Sequence, residues 1–301
     1  MNRSPRQYGV IPATGALKSR SFLWSFKAVN DLLGNGEHTG KRNNSSSSQT
    51  VRQGFTLLEL SIVLVIIGLL IGGIFVGQSL IHTAQLNAVI SEFNRYQTAV
   101  QTFKQQYQAL PGDMNNATSF WGIAGGTGAD ATCQNTVATT AATCNGNGDG
   151  VIAPYVVPGD EGKHFWQHLA NAKMIEGSYT GAGTATVGVN MPASRYGNAL
   201  SWRPYAGSAW TGGDTGGGWF NADYGTGHVM MFSLASGYSG ITPKDVWAID
   251  KKYDDGKPGL GNVLVYNWAG CTNAASMNDF TATYTLTVTT ASCALFFLSS
   301  F

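Results

Sequence analysis

The sequence predicts an α+β protein in which a long N-terminal helix packs on a small antiparallel β-sheet head with long loops. Three observations support this fold class. Residues 60–76 are almost wholly apolar, and no formally charged residue lies between Glu59 and Glu92. From Leu86 to Leu110, apolar residues recur at steps of three and four, which is the period of an amphipathic helix. The remainder is rich in Gly, Thr and Asn and contains short strand-like runs, which favours a small antiparallel sheet.

The charges of the chain are unevenly distributed. Residues 1–54 carry eight Lys or Arg against two acidic residues, whereas residues 55–301 carry ten against fifteen. A basic segment before an apolar helix favours the cytoplasmic side of a membrane, so we expect the rest of the chain to be exported. The polar tract at residues 43–50 cannot bury a core, and residues 1–54 are therefore a poor domain. Arg195 and Arg203 are too sparse for a nucleic-acid surface.

The apolar run has the length and composition of a membrane-spanning helix. About 20 apolar residues suffice to cross about 30 Å of hydrocarbon. We assign residues 55–81 to this half of the helix, which is apolar all round as a membrane or filament-core helix must be. A simple anchor does not account for Glu59 at its outer end, because an unpaired charge within the apolar layer costs at least about 2.5 kcal/mol. Glu59 therefore needs a partner.

The segment RQGFTLLE at residues 52–59, directly before the apolar run, resembles the N-terminal signal of type IV pilins and type II secretion pseudopilins. This resemblance implies that a prepilin peptidase removes residues 1–54 by cutting after Gly54 and methylates the new N terminus at Phe55. It also implies that Glu59 pairs with the N-terminal amine of a neighbouring subunit during assembly. A buried carboxylate paired with another chain's ammonium would fix the register between subunits.

The resemblance implies a structural subunit, and the alternative is a minor pilin whose aromatic-rich head is a binding or adhesion module. The expected partners are the same and other pilins in a helical filament, the prepilin peptidase and an inner-membrane assembly platform. We expect a single-pass inner-membrane protein with a periplasmic head, and later a filament in the periplasm or at the cell surface. A pilus and a secretion pseudopilus both fit. Nucleic acid is not an expected partner, although a role in DNA uptake stays open.

The second half of the helix, residues 82–110, carries an apolar stripe that we expect to face the head. We predict that the helix runs to about Ala109 and is ended by Pro111 and Gly112. The exported head then covers residues 111–301. Its predicted elements are a helix at about 162–174 and strands at 228–233, 262–268 and 280–289, with loops at 122–150 and 207–227.

Four cysteines in the exported part suit an oxidising compartment. Sequence alone allows three connectivities. We favour local pairing, Cys133 with Cys144 and Cys271 with Cys293, because it would staple two loop-rich regions separately.

The sequence NGNGDG at residues 145–150 resembles the first half of a calcium-binding EF-hand loop. Asn145, Asn147 and Asp149 would supply alternate oxygen ligands. The match is incomplete, since the first position is Asn and Val156 stands where a bidentate carboxylate is needed. The alternative, a Gly/Asn turn tied down by Cys144, is favoured, and calcium is the one cofactor suggested. Asp254 and Asp255 form a second acidic cluster, which we interpret as a solvated turn.

No sequence pattern predicts an enzyme. His164 and His168 stand four residues apart, as zinc ligands can, but the glutamate of a zincin motif and a third ligand are missing. Nucleophile-elbow, phosphate-loop and dinucleotide signatures are also absent from the sequence. Five tryptophans could line a sugar-binding surface, although packing explains them equally well: Trp202, Trp210, Trp219, Trp247 and Trp268.

Overall fold

The computed structural model describes residues 56–152, 161–206, 220, 227–235, 237, 239–265, 270–276, 278–299 and 301. Contacts divide the chain into Met1–Glu59 and Leu60–Phe301, and residues 56–59 are the described part of the first unit. The helices are α1 (Leu57–Tyr107), α2 (Thr118–Trp121), α3 (Ala131–Gln134), α4 (Glu161–Asn171) and α5 (Pro243–Tyr253), and the strands are β1 (Leu200–Ala206), β2 (His228–Leu234), β3 (Val263–Val265) and β4 (Leu295–Leu298).

The predicted α+β class is confirmed: a long apolar helix is followed by a four-stranded antiparallel sheet and short helices. The strand order is β1-β2-β4-β3, and each neighbouring pair is antiparallel. β1 is an edge strand, which explains how it contains Pro204, a residue that cannot donate a ladder hydrogen bond.

Helix α1 ends at Tyr107, close to the predicted end near Ala109. Gln108 adopts a left-handed conformation with φ of +54°, and its N–H donates to the Lys104 carbonyl at 2.9 Å. This bond satisfies one of the carbonyls that a helix C terminus leaves without partners.

The two halves of α1 differ in burial. The residues between Leu60 and Leu80 are exposed apart from Gly77, which is half-buried, and partial burial by the head begins at Gln85. α1 is the helix, among those the structure describes, that is long and apolar enough to cross a membrane. Its C-terminal half buries a stripe at steps of three and four against the head: Val89, Glu92, Phe93, Tyr96, Ala99, Val100 and Phe103.

Aromatic side chains join α1 to the sheet. The Phe93 ring lies 4.6 Å from the ring of Phe297 on β4 and 6.1 Å from that of Trp202 on β1, measured between centroids. Tyr96 meets Trp166 of α4 edge to face at 4.8 Å. These rings are fully buried, so the helix stripe and the inner face of the sheet form one core.

The strand predicted at residues 280–289 is wrong. Ala282 and Tyr284 are buried, as the alternation predicts, but Leu286 is 46 % exposed and the Val288 N–H donates to the Thr285 carbonyl in a turn. Tyr284 pairs with Thr272 through a single bridge. A strand needs a continuous partner, and this segment lacks one.

The other predicted head elements are partly reproduced. The helix at 162–174 is observed as α4, and the strand at 228–233 as β2. Of the strand at 262–268, residues 263–265 form β3 and residues 266–268 lie outside the described residues. Sequence reasoning missed β1, β4 and α5. Helix α5 had a readable signal, since Thr242 caps it by accepting from the Asp245 N–H at 3.2 Å and Pro243 is its first residue.

Candidate functional site

The N-terminal turn of α1 holds the glutamate that the sequence singles out. The Thr56 N–H donates to Glu59 Oε2 at 2.8 Å, and the Thr56 hydroxyl donates to the same oxygen at 3.0 Å. In return, the Glu59 N–H donates to Thr56 Oγ1 at 3.2 Å. This reciprocal arrangement is a capping box, and both bonds accepted by the carboxylate use Oε2. Sequence reasoning missed it, although the Thr-x-x-Glu spacing of residues 56–59 was its signal.

The helix that follows Glu59 presents an uninterrupted apolar surface. Ile62, Leu69 and Phe75 are between 50 % and 73 % exposed, and the apolar residues around them are similarly exposed. A contiguous apolar surface of this size is not compatible with water as its surroundings. In the described part of the chain, nothing lies within 4 Å of a Cβ built at Gly68, Gly72, Gly73 or Gly77. Lipid or other helices are the surroundings that such a surface requires.

Comparison with known families agrees with this geometry. Residues 50–75 match the family of the prokaryotic N-terminal methylation motif. The chain carries this methylation motif. It is the signature of type IV pilins and pseudopilins, and it supports a pilin-like subunit rather than an enzyme. No curated protein and no solved structure matches the chain.

The methylation motif covers all three residues predicted for processing and assembly. Gly54 and Phe55 lie outside the described residues, so their roles stay predictions. The described part of the motif consists of the capping box and the apolar run that follows it. Together with the apolar helix, the motif fits a membrane-anchored N-terminal segment.

Glu92 fastens the C-terminal half of α1 to the head. Its carboxylate is 5 % exposed; Oε1 accepts the Arg195 N–H at 2.8 Å, and Oε2 accepts the indole N–H of Trp202 at 2.9 Å. Both partners are more than 100 residues away along the chain. A buried charge is tolerated when it is hydrogen-bonded in this way.

We expect Glu92→Ala to destabilise the protein strongly. The substitution removes the acceptor of the Arg195 N–H and that of the buried indole N–H of Trp202, and a buried N–H left without an acceptor costs about 1–3 kcal/mol. In thermal unfolding of the full chain in detergent, the melting temperature should fall by roughly 5–10 °C. Glu176→Ala, which removes another glutamate, is the control. Equal melting temperatures for the two variants would contradict the anchoring role.

A second polar contact lies where the exposed half of α1 meets the head. His82 Nε2 lies 2.8 Å from Asp245 Oδ1, and the Tyr196 hydroxyl donates to Asp245 Oδ2 at 2.7 Å. Further along, the Lys252 ammonium donates to Asn87 Oδ1. Three polar side chains of α1, those of His82, Asn87 and Glu92, therefore contact the head.

The structure contains both disulfides with the predicted pairing, Cys133–Cys144 and Cys271–Cys293. The first ties helix α3, which contains Cys133, to the loop that follows it. The second joins the segment after β3 to the residues just before β4. Each staples a loop-rich part of the head, in agreement with an oxidising compartment.

The predicted calcium ligands lie in a loop that wraps around Asp113. Asn145 Oδ1 accepts the Thr118 N–H at 2.8 Å, Asn147 Oδ1 accepts the Asp149 N–H at 2.8 Å, and Asp149 Oδ1 accepts the Val151 N–H at 2.8 Å. Each of these oxygens therefore already accepts a backbone N–H, and those of Asn147 and Asp149 accept it from two residues further on, as in Asx turns.

Asp113 is the residue that organises this loop, and sequence reasoning missed it. Its carboxylate accepts the N–H groups of Gly148 at 2.7 Å, Asp149 at 3.1 Å and Gly150 at 2.9 Å. Burial raises the pKa of Asp113, against the lowering effect of these bonds. Carboxylate oxygens of Asp113, Asp149 and Glu161 lie within 4.8 Å of one another. Calcium binding stays a prediction. The carboxylates near Asp149 that could contribute to such a site are those of Asp113 and Glu161, whereas the predicted ligands Asn145 and Asn147 are uncharged.

Two close approaches position this loop. Gly112 has φ of +87°, and a Cβ there would collide with the Glu161 carbonyl oxygen. At Gly146, a Cβ would collide with the backbone of Asp113. Glycine is therefore required at both positions.

The second acidic cluster is tied to backbone amides. Asp254 Oδ2 accepts the N–H groups of Asn262 and Val263, and Asp255 Oδ1 accepts the Lys257 N–H at 2.8 Å. Asp250, fully buried on α5, accepts the Tyr284 hydroxyl at 2.6 Å and the Gly256 N–H at 3.2 Å. The predicted turn at residues 254–255 is thus held by hydrogen bonds to backbone amides, and carboxylate oxygens of Asp250, Asp254 and Asp255 lie within 4.8 Å of one another.

Asp250 should make the stability of the head depend on pH. Burial raises its pKa from 3.8 to about 7, against the lowering effect of its bonds to Tyr284 and Gly256. The folded state therefore holds a proton that the unfolded state has released between about pH 4 and 7, so stability should fall as the pH rises through this window. The slope for one proton is at most about 1.4 kcal/mol per pH unit. Urea unfolding from pH 5 to 8 measures it.

The matched variants for this measurement are Asp250→Asn and Asp279→Asn. The first removes the titrating group and should flatten the profile. The second changes an aspartate whose pKa is lowered by its hydrogen bonds to Thr281 and Ala275, so it stays ionised throughout this range and the slope should remain. If the free energy of unfolding of Asp250→Asn depends on pH as that of the wild type does, another group is responsible for the slope.

His164 and His168 are core residues rather than a metal site. His168 Nδ1 accepts the Gly112 N–H at 2.9 Å, and Nε2 lies 3.0 Å from Thr143 Oγ1, so both ring nitrogens are in use. Burial lowers the pKa of His168 to about 3 and that of His164 to about 4, which keeps both rings neutral. His164 Nδ1 lies 3.1 Å from Gln167 Oε1.

The described tryptophans do not form the sugar-binding surface considered from the sequence. Trp202 is fully buried, and Trp247 packs with Lys251, whose ammonium lies 4.8 Å from the ring centroid. Trp210, Trp219 and Trp268 lie outside the described residues. Arg203 is also buried, and it donates to Ser233 Oγ at 2.6 Å, so it contributes nothing to a basic surface.

Proposed function

We propose that this protein is a pilin-like structural subunit that is held in the inner membrane and polymerised through its N-terminal helix. The filament would be a type IV pilus or a type II secretion pseudopilus. The observation that carries the proposal is the methylation motif at residues 50–75, because it runs directly into an exposed apolar helix. The same motif without an exposed apolar helix after it would lack the surface that polymerisation through helices requires.

The two halves of α1 support this proposal in different ways. Its N-terminal half buries no side chain within the chain and so offers its surface to lipid or to neighbouring helices. Its C-terminal half is fixed to the head by the aromatic core and by Glu92. Movement of the subunit from membrane to filament would exchange the first set of contacts while the second set stays intact.

Glu59 would supply the register between subunits. In the single chain its Oε2 is held by Thr56, and we propose that its carboxylate pairs with the N-terminal amine of a neighbouring chain during assembly. An ion pair formed between chains in an apolar environment leaves a large penalty for misaligned helices, because each charge is then unpaired.

Mass spectrometry of the membrane-derived protein tests the processing step. We expect the mature chain to begin at N-methylated Phe55, with residues 1–54 removed by a prepilin peptidase. A control sample from cells lacking that peptidase should retain the leader. Recovery of a mature chain that begins near Met1 would contradict the proposed function.

A further inference from the structure

Helix α5 runs beside α1 at the point where the exposed half of α1 ends. The start of α5 is held by the contact between Asp245 Oδ1 and His82 Nε2 at 2.8 Å, and its last turn by the bond from the Lys252 ammonium to Asn87 Oδ1. At a rise of 1.5 Å per residue, these contacts are about 10 Å apart along α5 and about 8 Å apart along α1. The two helices therefore run side by side in the same direction.

The N-terminal turn of α5 is the part of that helix nearest to the apolar half of α1. His82 directly follows Ile81, which is 63 % exposed and is the last exposed large apolar residue of α1. If α1 spans a membrane, as the proposed function requires, the surface of that membrane lies close to residue 82. The inference below rests on that proposed function and adds a contact between the head and the lipid.

Two lysines and a tryptophan share the outward face of α5, which we call its basic face: Lys244, Trp247 and Lys251. Both lysines are exposed, and Trp247 is half-buried. The Lys251 ammonium lies 4.8 Å from the ring centroid of Trp247, one helical turn earlier. Side chains on a helix lean towards its N terminus in this way. The positive charge of Lys251 is therefore carried towards the end of α5 that lies nearest to residue 82.

The helix itself does not explain the position of Lys244. Thr242 caps α5 and Pro243 is its first residue, so Lys244 stands in the first turn. A cation is disfavoured there, because the N terminus of a helix carries partial positive charge. Among the residues that the structure describes, none forms a hydrogen bond or an ion pair with the Lys244 ammonium. Its charge is thus free to meet an external anion.

The acidic groups of α5 do not neutralise the basic face. Asp245 is 7 % exposed and both of its carboxylate oxygens are hydrogen-bonded, and Asp250 is fully buried. Asp254 and Asp255 lie beyond the last turn, at the end of α5 away from residue 82. The exposed charges at the N-terminal end are therefore positive, although residues 55–301 as a whole carry more acidic than basic residues.

Lysine and tryptophan suit the surface of a membrane. A lysine can lay its methylene stem on apolar groups while its ammonium stays among the headgroups. A tryptophan ring is enriched at the same level because it is apolar with one polar edge. In the part of the chain that the structure describes, the Trp247 indole N–H has no hydrogen-bond acceptor. Each lysine near an anionic lipid surface favours the contact by about fivefold.

We propose that the basic face of α5 binds the headgroups of anionic phospholipids while the subunit is held in the membrane. Lys244 and Lys251 pair with the lipid phosphates, and Trp247 lies at the level of the headgroups. The contact holds the head against the membrane surface, beside the point where α1 leaves it. Because a filament offers no lipid to this face, the contact favours the membrane-held subunit over the assembled one.

The test uses the full chain in nanodiscs, one chain per disc, made of phosphatidylcholine alone or of phosphatidylcholine with phosphatidylglycerol. Amide hydrogen exchange is measured by peptide mass spectrometry. Residues 242–253 should exchange at least threefold more slowly in the anionic nanodiscs, whereas residues 161–171 of α4 should exchange equally in both. Salt at about 1 M screens surface charges and should remove the difference. The salt comparison uses the unaltered chain and so does not depend on any variant.

Three double variants locate the contact. Lys244→Ala/Lys251→Ala should exchange as the wild type does in neutral nanodiscs, which shows that it is folded, and should lose the slowing in anionic ones. Lys244→Arg/Lys251→Arg keeps both charges and should keep the slowing. Lys104→Ala/Lys173→Ala removes the same net charge elsewhere on the head and should also keep it.

Several outcomes would overturn the lipid contact. These are equal exchange in the two kinds of nanodisc, slowing that Lys244→Ala/Lys251→Ala retains, and slowing that Lys104→Ala/Lys173→Ala loses as well. Slowing in neutral nanodiscs that hold two chains would assign the basic face to another subunit instead of lipid. All of these results leave the processing and assembly of the subunit untouched, whereas a chain that does not enter nanodiscs would overturn the membrane anchoring together with this inference.

Discussion

Cells that produce the Gly54→Leu chain should accumulate the uncut precursor in the membrane and almost no mature protein. The proposed cut follows Gly54, and a leucine side chain at that position would add bulk directly beside the scissile bond. Because the proposed methylation acts on the new N terminus at Phe55, it should disappear together with cleavage. Immunoblotting and mass spectrometry of the membrane fraction measure both losses.

The matched control for this experiment is Gly40→Leu, the same change in the proposed leader but outside residues 50–75, the segment that matches the motif. Its product should have the wild-type mature mass. A Gly54→Leu chain that is shortened to that mass would show that the cut lies elsewhere, and the assignment of Phe55 as the mature N terminus would fail.

The helix and the motif could be predicted from the sequence because their signals are contiguous. The apolar run, the stripe from Leu86 to Leu110 and residues 52–59 each depend on neighbours a few positions apart. The Thr56–Glu59 capping box, which begins the helix, was readable in the same way from the Thr-x-x-Glu spacing. The Glu59 side chain can therefore cap its own helix and still have the proposed role in assembly.

The sheet was less predictable because strand formation depends on partners far away in the chain. Residues 280–289 alternate well, yet they meet Thr272 at a single bridge, whereas the short run of β4 lies between β2 and β3 and is a central strand. β4 is buried on both sides, so it shows no alternation that would distinguish it from a loop.

The polar groups that join distant segments could not be predicted from the sequence at all. Glu92 meets Trp202 across 110 positions, and Asp113 holds amides at 148–150 that are about 35 positions away. Nothing in the local pattern of either residue indicates its partner.

Assembly is the second large effect that we expect. Glu59→Ala should leave processing and membrane insertion largely intact while strongly lowering incorporation into filaments, because the neighbouring amine loses its buried partner. The substitution also removes the bonds to Thr56, so the charge and the cap must be separated. Glu59→Gln retains a side chain that fits the capping box and should still assemble poorly. Thr56→Ala removes the cap's threonine but keeps the carboxylate, and it should assemble much better than either Glu59 variant.

The most direct measurement is the ratio of sheared filament protein to membrane-retained protein for the wild type, Glu59→Ala, Glu59→Gln and Thr56→Ala. The proposed subunit role predicts a ratio that falls at least tenfold in both Glu59 variants and changes little in Thr56→Ala. An unchanged ratio in both Glu59 variants would contradict assembly through this carboxylate.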